Sequence, residues 1–289
     1  MQDFVMKNLI YHVICGSKSY GLDTEESDTD KKGITIPPLE YFFGLKIFNQ
    51  EEPSADETIF ALHKFVSMAF DCNPNILEIL YTDPKNILFI NKYGKMLRDN
   101  RHLFLSTRAR YTFGGYAFAQ LKRIKGHRKW IMFDQKRPME EDFLVDKTRK
   151  SPAGNIIKYQ RFHEQEFENA LKKYNQYLDW KKNRNPERAK FDEKYGYDTK
   201  HAMHLIRLLR MGIEILETGQ VNVLRPDREE LLAIRNGIWT YDKLIWVAEA
   251  YEKDLDRLYA TSKLPKKPNH KAINELLIKI TEEFFNEIK

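Results

Sequence analysis

The sequence predicts an α/β fold of the α+β kind. A mixed-sheet N-terminal part over about residues 1–105 precedes an α-helical part over about 106–289. Short apolar, β-branched runs in the first hundred or so residues end at glycine or proline, the mark of buried strands. Glycine pairs and strand alternation then fade after Gly114-Gly115. Long stretches with apolar residues at helical spacing take over from there.

Element by element, Asn8 to Cys15 reads as a buried strand closed by Gly16. Gly33 to Pro37 is a second short strand, stopped by Pro37 and Pro38 because proline cannot donate to a ladder. Thr58 to Ala61 either continues as strand or opens the next helix, whose apolar positions are Leu62, Phe65, Val66, Ala69 and Phe70. In "NPNILEILY", Asn73 suits an N-cap and Pro74 the first helical position. Helical patterns then cover Tyr116–Lys125, Arg161–Lys182, Lys200–Glu217, Asp227–Asn236, Tyr241–Tyr259 and His270–Lys289. Residues 126–160 are basic and irregular, with Pro138 and Pro152, and read as an excursion. "KKNRNPERAKFDEKYGYD" reads as a charged connection between helices.

Bulk properties exclude several classes. With 289 residues, 42% of them hydrophobic, the chain can build a core. No apolar run reaches the roughly 18 residues of a membrane span. The N-terminus lacks a charged-then-apolar export pattern, so a cytoplasmic setting is expected, with no membrane partner. Cys15 and Cys72 make no disulfide framework and are expected as buried thiols. The net charge of +6 permits an anionic partner such as a nucleotide or nucleic acid. Nothing in the sequence signals an oligomeric state.

The stretch "VICGSKSYGLDTEESDTDKKGITI" carries the chemistry. It is not a Walker-type phosphate loop, because Leu22-Asp23 stands where Lys and Ser/Thr are needed. It is not an EF-hand either. Asp28, Asp30 and Gly33 fall on loop positions one, three and six, but Lys32 and Leu39 occupy positions five and twelve. A two-metal nucleotidyl-transfer site survives both tests. A strand ending in Gly16-Ser17 offers a tight turn with free N–H groups and a hydroxyl, able to cradle a triphosphate. Asp28 and Asp30, at i and i+2 on an extended segment, face the same way. Two such carboxylates bind hard cations through oxygen, and two metals there would clamp the attacking oxygen and the leaving pyrophosphate. The bland alternative for Asp28-Thr29-Asp30 is a solvated turn.

At these residues the sequence resembles a known family. "GS" followed by "SDTDKKGI" is similar to the DNA polymerase β-type nucleotidyltransferase superfamily. More narrowly, "GSKSYGLDTEESDTDKKGITIPPLEYFFGL", "NPNILEILY" and "GYDTKHAMHLIRLLRMGIEIL" resemble a bacterial and phage group of predicted nucleotidyltransferases, over about residues 10–250. The resemblance implies a palm-like mixed sheet with flanking helices and a helical second wall to the cleft. It implies transfer of a nucleoside monophosphate from a nucleoside triphosphate, ATP among the candidates, to a hydroxyl. Two Mg2+ ions would assist, with Mn2+ as a substitute. Gly16 and Ser17 match the triphosphate turn, and Asp28 and Asp30 the metal ligands. The pattern also wants a third carboxylate on a neighbouring strand. Asp56 is the choice, Glu57 the rival, and Glu51 and Glu52 stand further out; the alternative for Asp56 is a helix cap.

Lys200–Glu217 supplies the second wall. Its apolar arc leaves Lys200, His204, Arg207 and Glu214 on one narrow stripe. Lys200 and Arg207 could neutralise the β- and γ-phosphates, and His204 could touch phosphate, ribose or acceptor. Tyr20 could stack on the base, or equally belong to the core. His63 reads as structural, and Glu78, in an apolar helix, as paired with a cation or facing the cleft edge. In "YAFAQLKRIKGHRKW", cations interleave with Tyr116, Phe118 and Trp130, which suits RNA or, equally, a wet basic helix face. An RNA 3′ end is therefore the favoured acceptor. Nucleotidylation of a protein Ser, Thr or Tyr is the alternative enzyme. A non-catalytic nucleic-acid-binding module on the same fold is the alternative outside enzymology.

Overall fold

The computed structural model describes residues 3–25, 27–184 and 186–288. The chain forms two compact units, one of residues 1–122 with 200–289 and the other of residues 123–199.

The first unit opens with α1 (Asp3–Lys7), β1 (Leu9–Ile14), a single turn α2 (Ser17–Tyr20), and β2 (Lys31–Thr35). It continues through α3 (Glu40–Phe43), β3 (Gln50–Ser54), β4 (Glu57–Ala61), α4 (Leu62–Phe70), α5 (Pro74–Tyr81), β5 (Ile87–Ile90) and α6 (Lys92–Asp99). The five strands form one sheet in the order β3-β4-β2-β1-β5. Only β2 and β4 run parallel, so the sheet is mixed as expected. Pro53 lies in β3, an edge strand, where its missing N–H disturbs no inner ladder. The buried run of β1 puts Ile10, Tyr11 and Val13 into the core with Ile34 of β2 and Ile59 of β4.

Asn73 caps α5 by accepting from the Asn75 N–H at 3.0 Å, with Pro74 as the first helical residue. Ile76, Leu77, Ile79 and Leu80 of α5 are buried, and Tyr11 of β1 donates to the Ile79 carbonyl at 3.0 Å. The ambiguous Thr58–Ala61 stretch is strand, and the helix starts at Leu62.

α7 (Ala109–Met132) is longer than the Tyr116–Lys125 pattern and runs through Gly114-Gly115 and on past 126. The remainder of the supposed irregular excursion holds a hairpin, β6 (Leu144–Lys150) with β7 (Ile156–Phe162). Both faces of this hairpin are exposed, so it lacks the apolar alternation that marks a half-buried strand. α8 (Glu164–Asn183) accordingly starts three residues later than its pattern suggests. The charged connector contains a helix, α9 (Pro186–Tyr195), while its Asn185 lies outside the described residues.

α10 (Thr199–Thr218), α11 (Arg228–Arg235), α12 (Tyr241–Thr261) and α13 (His270–Ile288) follow the expected helical patterns, with Lys289 outside the described residues. They group with the sheet instead of forming a unit that begins at 106. Aromatic packing is one cause: Phe284 of α13 meets Tyr93 of α6 at 5.3 Å and Phe285 meets Phe42 at 5.9 Å. Both cysteines are free and buried. No described helix is long and apolar enough to cross a membrane.

Candidate active site at the ends of the parallel strands

β1 runs out at Cys15, and Gly16 turns the chain with φ 68° and ψ −146°. Two constraints meet at this glycine. Its φ lies where L side chains are strained, and a side-chain carbon there would overlap Oδ2 of Asp30. The glycine thus lets the backbone of the turn lie directly against the Asp30 carboxylate. The turn is tied down on its inner side. Ser19 donates to the Gly16 carbonyl at 2.9 Å, and Lys18 donates to the hydroxyl of Thr29, the residue between the two aspartates. Arg228 and Arg235 of α11 donate to the carbonyls of Gly21 and Leu22.

The aspartates are placed by the sheet. Cys15 N–H donates to the Asp30 carbonyl at 2.9 Å, which extends the β1–β2 ladder by one step. Lys31 N–H donates to the Asp56 carbonyl at 2.7 Å, and Lys31 stands opposite Glu57 in the parallel β2–β4 register. Asp30 and Asp56 are therefore neighbours, each just before its strand. Side chains alternate across a strand, so Asp56 shares the face of Asp30 and Glu57 takes the other. The contacts agree: Glu57 meets His12 Nε2 at 2.9 Å. His12 is buried, and burial holds its pKa below the usual value, with Lys31 adding to the effect and Glu57 opposing it. Glu51 and Glu52 lie on edge strand β3.

Among the described residues, the side chains of Asp28, Asp30 and Asp56 have no hydrogen-bond or ion-pair partner within the chain. Asp28 and Asp56 are exposed and Asp30 half-buried. Burial raises the Asp30 pKa above the ordinary carboxylate range. The negative charges of Asp56, Glu78 and Asp28 push the same way, against the pull of Lys32. No group of three or more His, Cys, Asp or Glu among the described residues is gathered tightly enough to hold a metal by itself. Magnesium asks for less. It is usually held by one or two carboxylates, with water and substrate phosphate completing the shell. An all-oxygen donor set with unpartnered carboxylates and crowded negative charge fits that habit.

Beneath this surface lies a buried polar chain that sequence reasoning saw only in part. Glu78 of α5 is 3% exposed and accepts from the Tyr20 hydroxyl and from Lys32 Nζ, the latter at 3.3 Å. The Lys32 pKa is raised. Burial, the largest single influence, would lower it, but the Glu78 charge and hydrogen bond together with Cys15 and Asp30 outweigh burial. The Arg207 guanidinium lies 3.7 Å from the Tyr20 ring centroid, and its Nη1 reaches Met211 Sδ at 3.5 Å. Tyr20 and Arg207 are 4% and 7% exposed, so the base-stacking role expected of Tyr20 is not open to it in this arrangement. Arg207 covers the tyrosine ring in place of facing solvent. Glu214 of the same stripe pairs with the buried Arg225 at 2.6 Å. Lys200 is exposed and His204 half-buried, both in the first two turns of α10. His63 is half-buried, edge-on to Phe42 at 6.1 Å, with its pKa lowered by burial and then by Lys64. Lys32 was missed as a site residue, although its i+2 spacing from Asp30 put it on the same face. Trp130, one of the aromatics of the basic helix, is packed against Trp180 at 5.3 Å and His127 at 5.6 Å.

One similar protein is an uncharacterized 38.9 kDa protein from the nrdC-mobD intergenic region of Enterobacteria phage T4, 29% identical over 132 residues. The match covers 39% of this chain and 38% of the phage protein, so it spans well under half of either. No solved structure matches. The family model of the RNA repair pathway DNA polymerase beta family, RlaP, matches residues 2–279. A match of nearly the whole chain, over a mixed sheet that sets Asp30 beside Asp56 and against a Gly-Ser turn, makes this protein a member of the RNA repair pathway DNA polymerase beta family.

Proposed function

We propose that the protein is a metal-dependent nucleotidyltransferase that adds a nucleoside monophosphate to the 3′ end of RNA in the cytoplasm. One observation carries this reading: Asp30 and Asp56 precede two neighbouring parallel strands, beside Asp28, with Asp30 lying against the Gly16 turn. The family's place in RNA repair supports RNA as the acceptor.

The Gly16-Ser17 turn holds the triphosphate through its N–H groups and the Ser17 hydroxyl. Lys200 and His204 contact the nucleotide from α10. Tyr20 and Arg207, being buried, keep α2 in place and act as positioning residues. Asp28, Asp30 and Asp56 would hold magnesium or manganese, which when bound supplies charge neutralisation at the attacking and leaving oxygens. The RNA 3′ hydroxyl forms a bond to the α-phosphorus, the α–β anhydride bond breaks, and pyrophosphate leaves. Asp56 takes the hydroxyl proton.

The test is incubation with labelled nucleoside triphosphates, magnesium and pooled RNA, followed by gel separation of RNA from protein. Label should enter RNA with wild type and be lost in an Asp28→Ala/Asp30→Ala variant. Equal incorporation by both would sink the mechanism, and label on protein alone would replace the RNA acceptor with a side-chain hydroxyl.

A further inference from the structure

We infer that the β6–β7 hairpin is a single-stranded RNA grip, its recognition face being Val145, Lys147, Arg149, Ile157, Tyr159 and Arg161. This deepens the RNA-end reading above and rests on it for the choice of nucleic acid, but its test measures binding, not transfer.

Charge distribution is the first support. The unit of residues 123–199 carries 19 Lys and Arg against 13 Asp and Glu, which is the whole of the chain's net +6. The larger unit is neutral. Within the hairpin, residues 144–162, five cations stand against the single acid Asp146.

Register is the second. Val145 pairs with Arg161, Lys147 with Tyr159, and Arg149 with Ile157, so these six side chains share one face and none is acidic. Asp146 lies on the other face, bonded to Gln160 at 3.2 Å. At its base that other face is engaged, since Phe162 packs on Phe167 of α8 at 5.7 Å.

Exposure and ring chemistry are the third. All fourteen strand residues are exposed, and Tyr159 is 44% exposed between its cationic neighbours, with the Arg149 guanidinium 5.9 Å from its ring centroid. Three cations around one accessible aromatic ring match a phosphate backbone with an unstacked base on the tyrosine. A duplex hides its base faces and would leave the ring unused. A protein partner or second copy would have to supply carboxylates for Lys147, Arg149 and Arg161, and the recognition face has none to offer its own twin.

The experiment is fluorescence anisotropy of a labelled oligouridylate of about 20 nucleotides, longer than the roughly 4–16 nucleotides of a single-strand site, against the full chain over a salt series. A Lys147→Glu/Arg149→Glu/Arg161→Glu variant should bind at least about tenfold more weakly, with a log–log salt slope shallower by about 2. Tyr159→Ala should weaken binding at least about fivefold with the slope unchanged. Reversing Lys253, Lys263 and Lys267, exposed lysines of the other unit, should change affinity less than twofold. Circular dichroism establishes that each variant is folded. Wild-type affinity and slope in the triple variant would overturn the proposal. So would dimerisation, seen by sedimentation, that the triple variant abolishes without altering RNA binding. Equal binding of duplex RNA with no effect of Tyr159→Ala would overturn the single-strand assignment. The Asp28→Ala/Asp30→Ala variant should bind the oligonucleotide like wild type, which separates this test from that of transfer.

Discussion

The carboxylate of Asp30 occupies the space that a side chain on residue 16 would need. Gly16 follows β1 and Asp30 precedes β2, and their contact joins the Gly16-Ser17 turn to the acidic cluster. Gly16→Ala should therefore damage both stability and activity. A non-glycine residue at this positive φ with extended ψ costs about 1–3 kcal/mol, and displacement of Asp30 adds to that. A lower urea midpoint together with loss of label transfer would be seen. An alanine variant with full activity would mean that the close approach is dispensable.

Asp30 also sets a pH signature. Burial, with the charges of Asp56, Glu78 and Asp28, holds its pKa above the ordinary carboxylate range despite Lys32. The folded chain therefore prefers the protonated form more than the unfolded chain does. Stability linked to that proton is complete below the ordinary carboxylate pKa and is lost as pH rises through the raised one. Asp30→Asn should melt above wild type at neutral pH, and the gap should close as pH falls below about 4. Melting curves between about pH 4 and pH 8 measure this, and a gap that ignores pH would assign the gain to packing.

Asp56 and Glu57 separate cleanly by experiment. Asp56 shares the Asp30 face, whereas Glu57 is engaged with His12 on the other. Asp56→Asn should lower the transfer rate by about 100-fold, equivalent to ~2.7 kcal/mol of barrier. Glu57→Gln should stay within about threefold of wild type, since it touches no reacting group. The reverse ranking, in single-turnover assays, would move the third carboxylate to Glu57.

The buried chain below the site predicts a stability effect. Removing Glu78 strands Lys32 and Tyr20 without their shared acceptor. Breaking a buried pair from one side costs about 3–5 kcal/mol, and Lys32, 23% exposed in its side chain, puts Glu78→Ala near the lower figure. Glu78→Gln retains an oxygen for the tyrosine and should cost less. Urea unfolding with an unchanged slope reads both.

Much of the candidate site was legible because its parts are local. Gly16-Ser17 and Asp28-Thr29-Asp30 declare themselves by spacing, and Asn73-Pro74 by cap chemistry. What escaped depends on tertiary approach. Tyr20 could be read as stacking platform or core until Arg207, some 190 residues on, was seen over its ring. Glu214 gave no sign that Arg225 would claim it. The β6–β7 hairpin was hidden for a different reason: with water on both faces its side chains obey no burial pattern, so only pairing reveals it.

The parallel β2–β4 ladder has a wider consequence. Asp30 and Asp56 are set side by side by hydrogen bonds between their strands, and not by the twenty-five residues that separate them in sequence. That intervening excursion, from Thr35 to Asp56, displays Phe43, Leu45 and Ile47 almost fully to solvent. Phe48, one residue further on, is buried instead, and β3 pairs with β4, so the same excursion is anchored to the sheet at its end. Changes at Phe43, Leu45 and Ile47 can therefore alter what the protein touches there without disturbing the ladder that spaces the two acids.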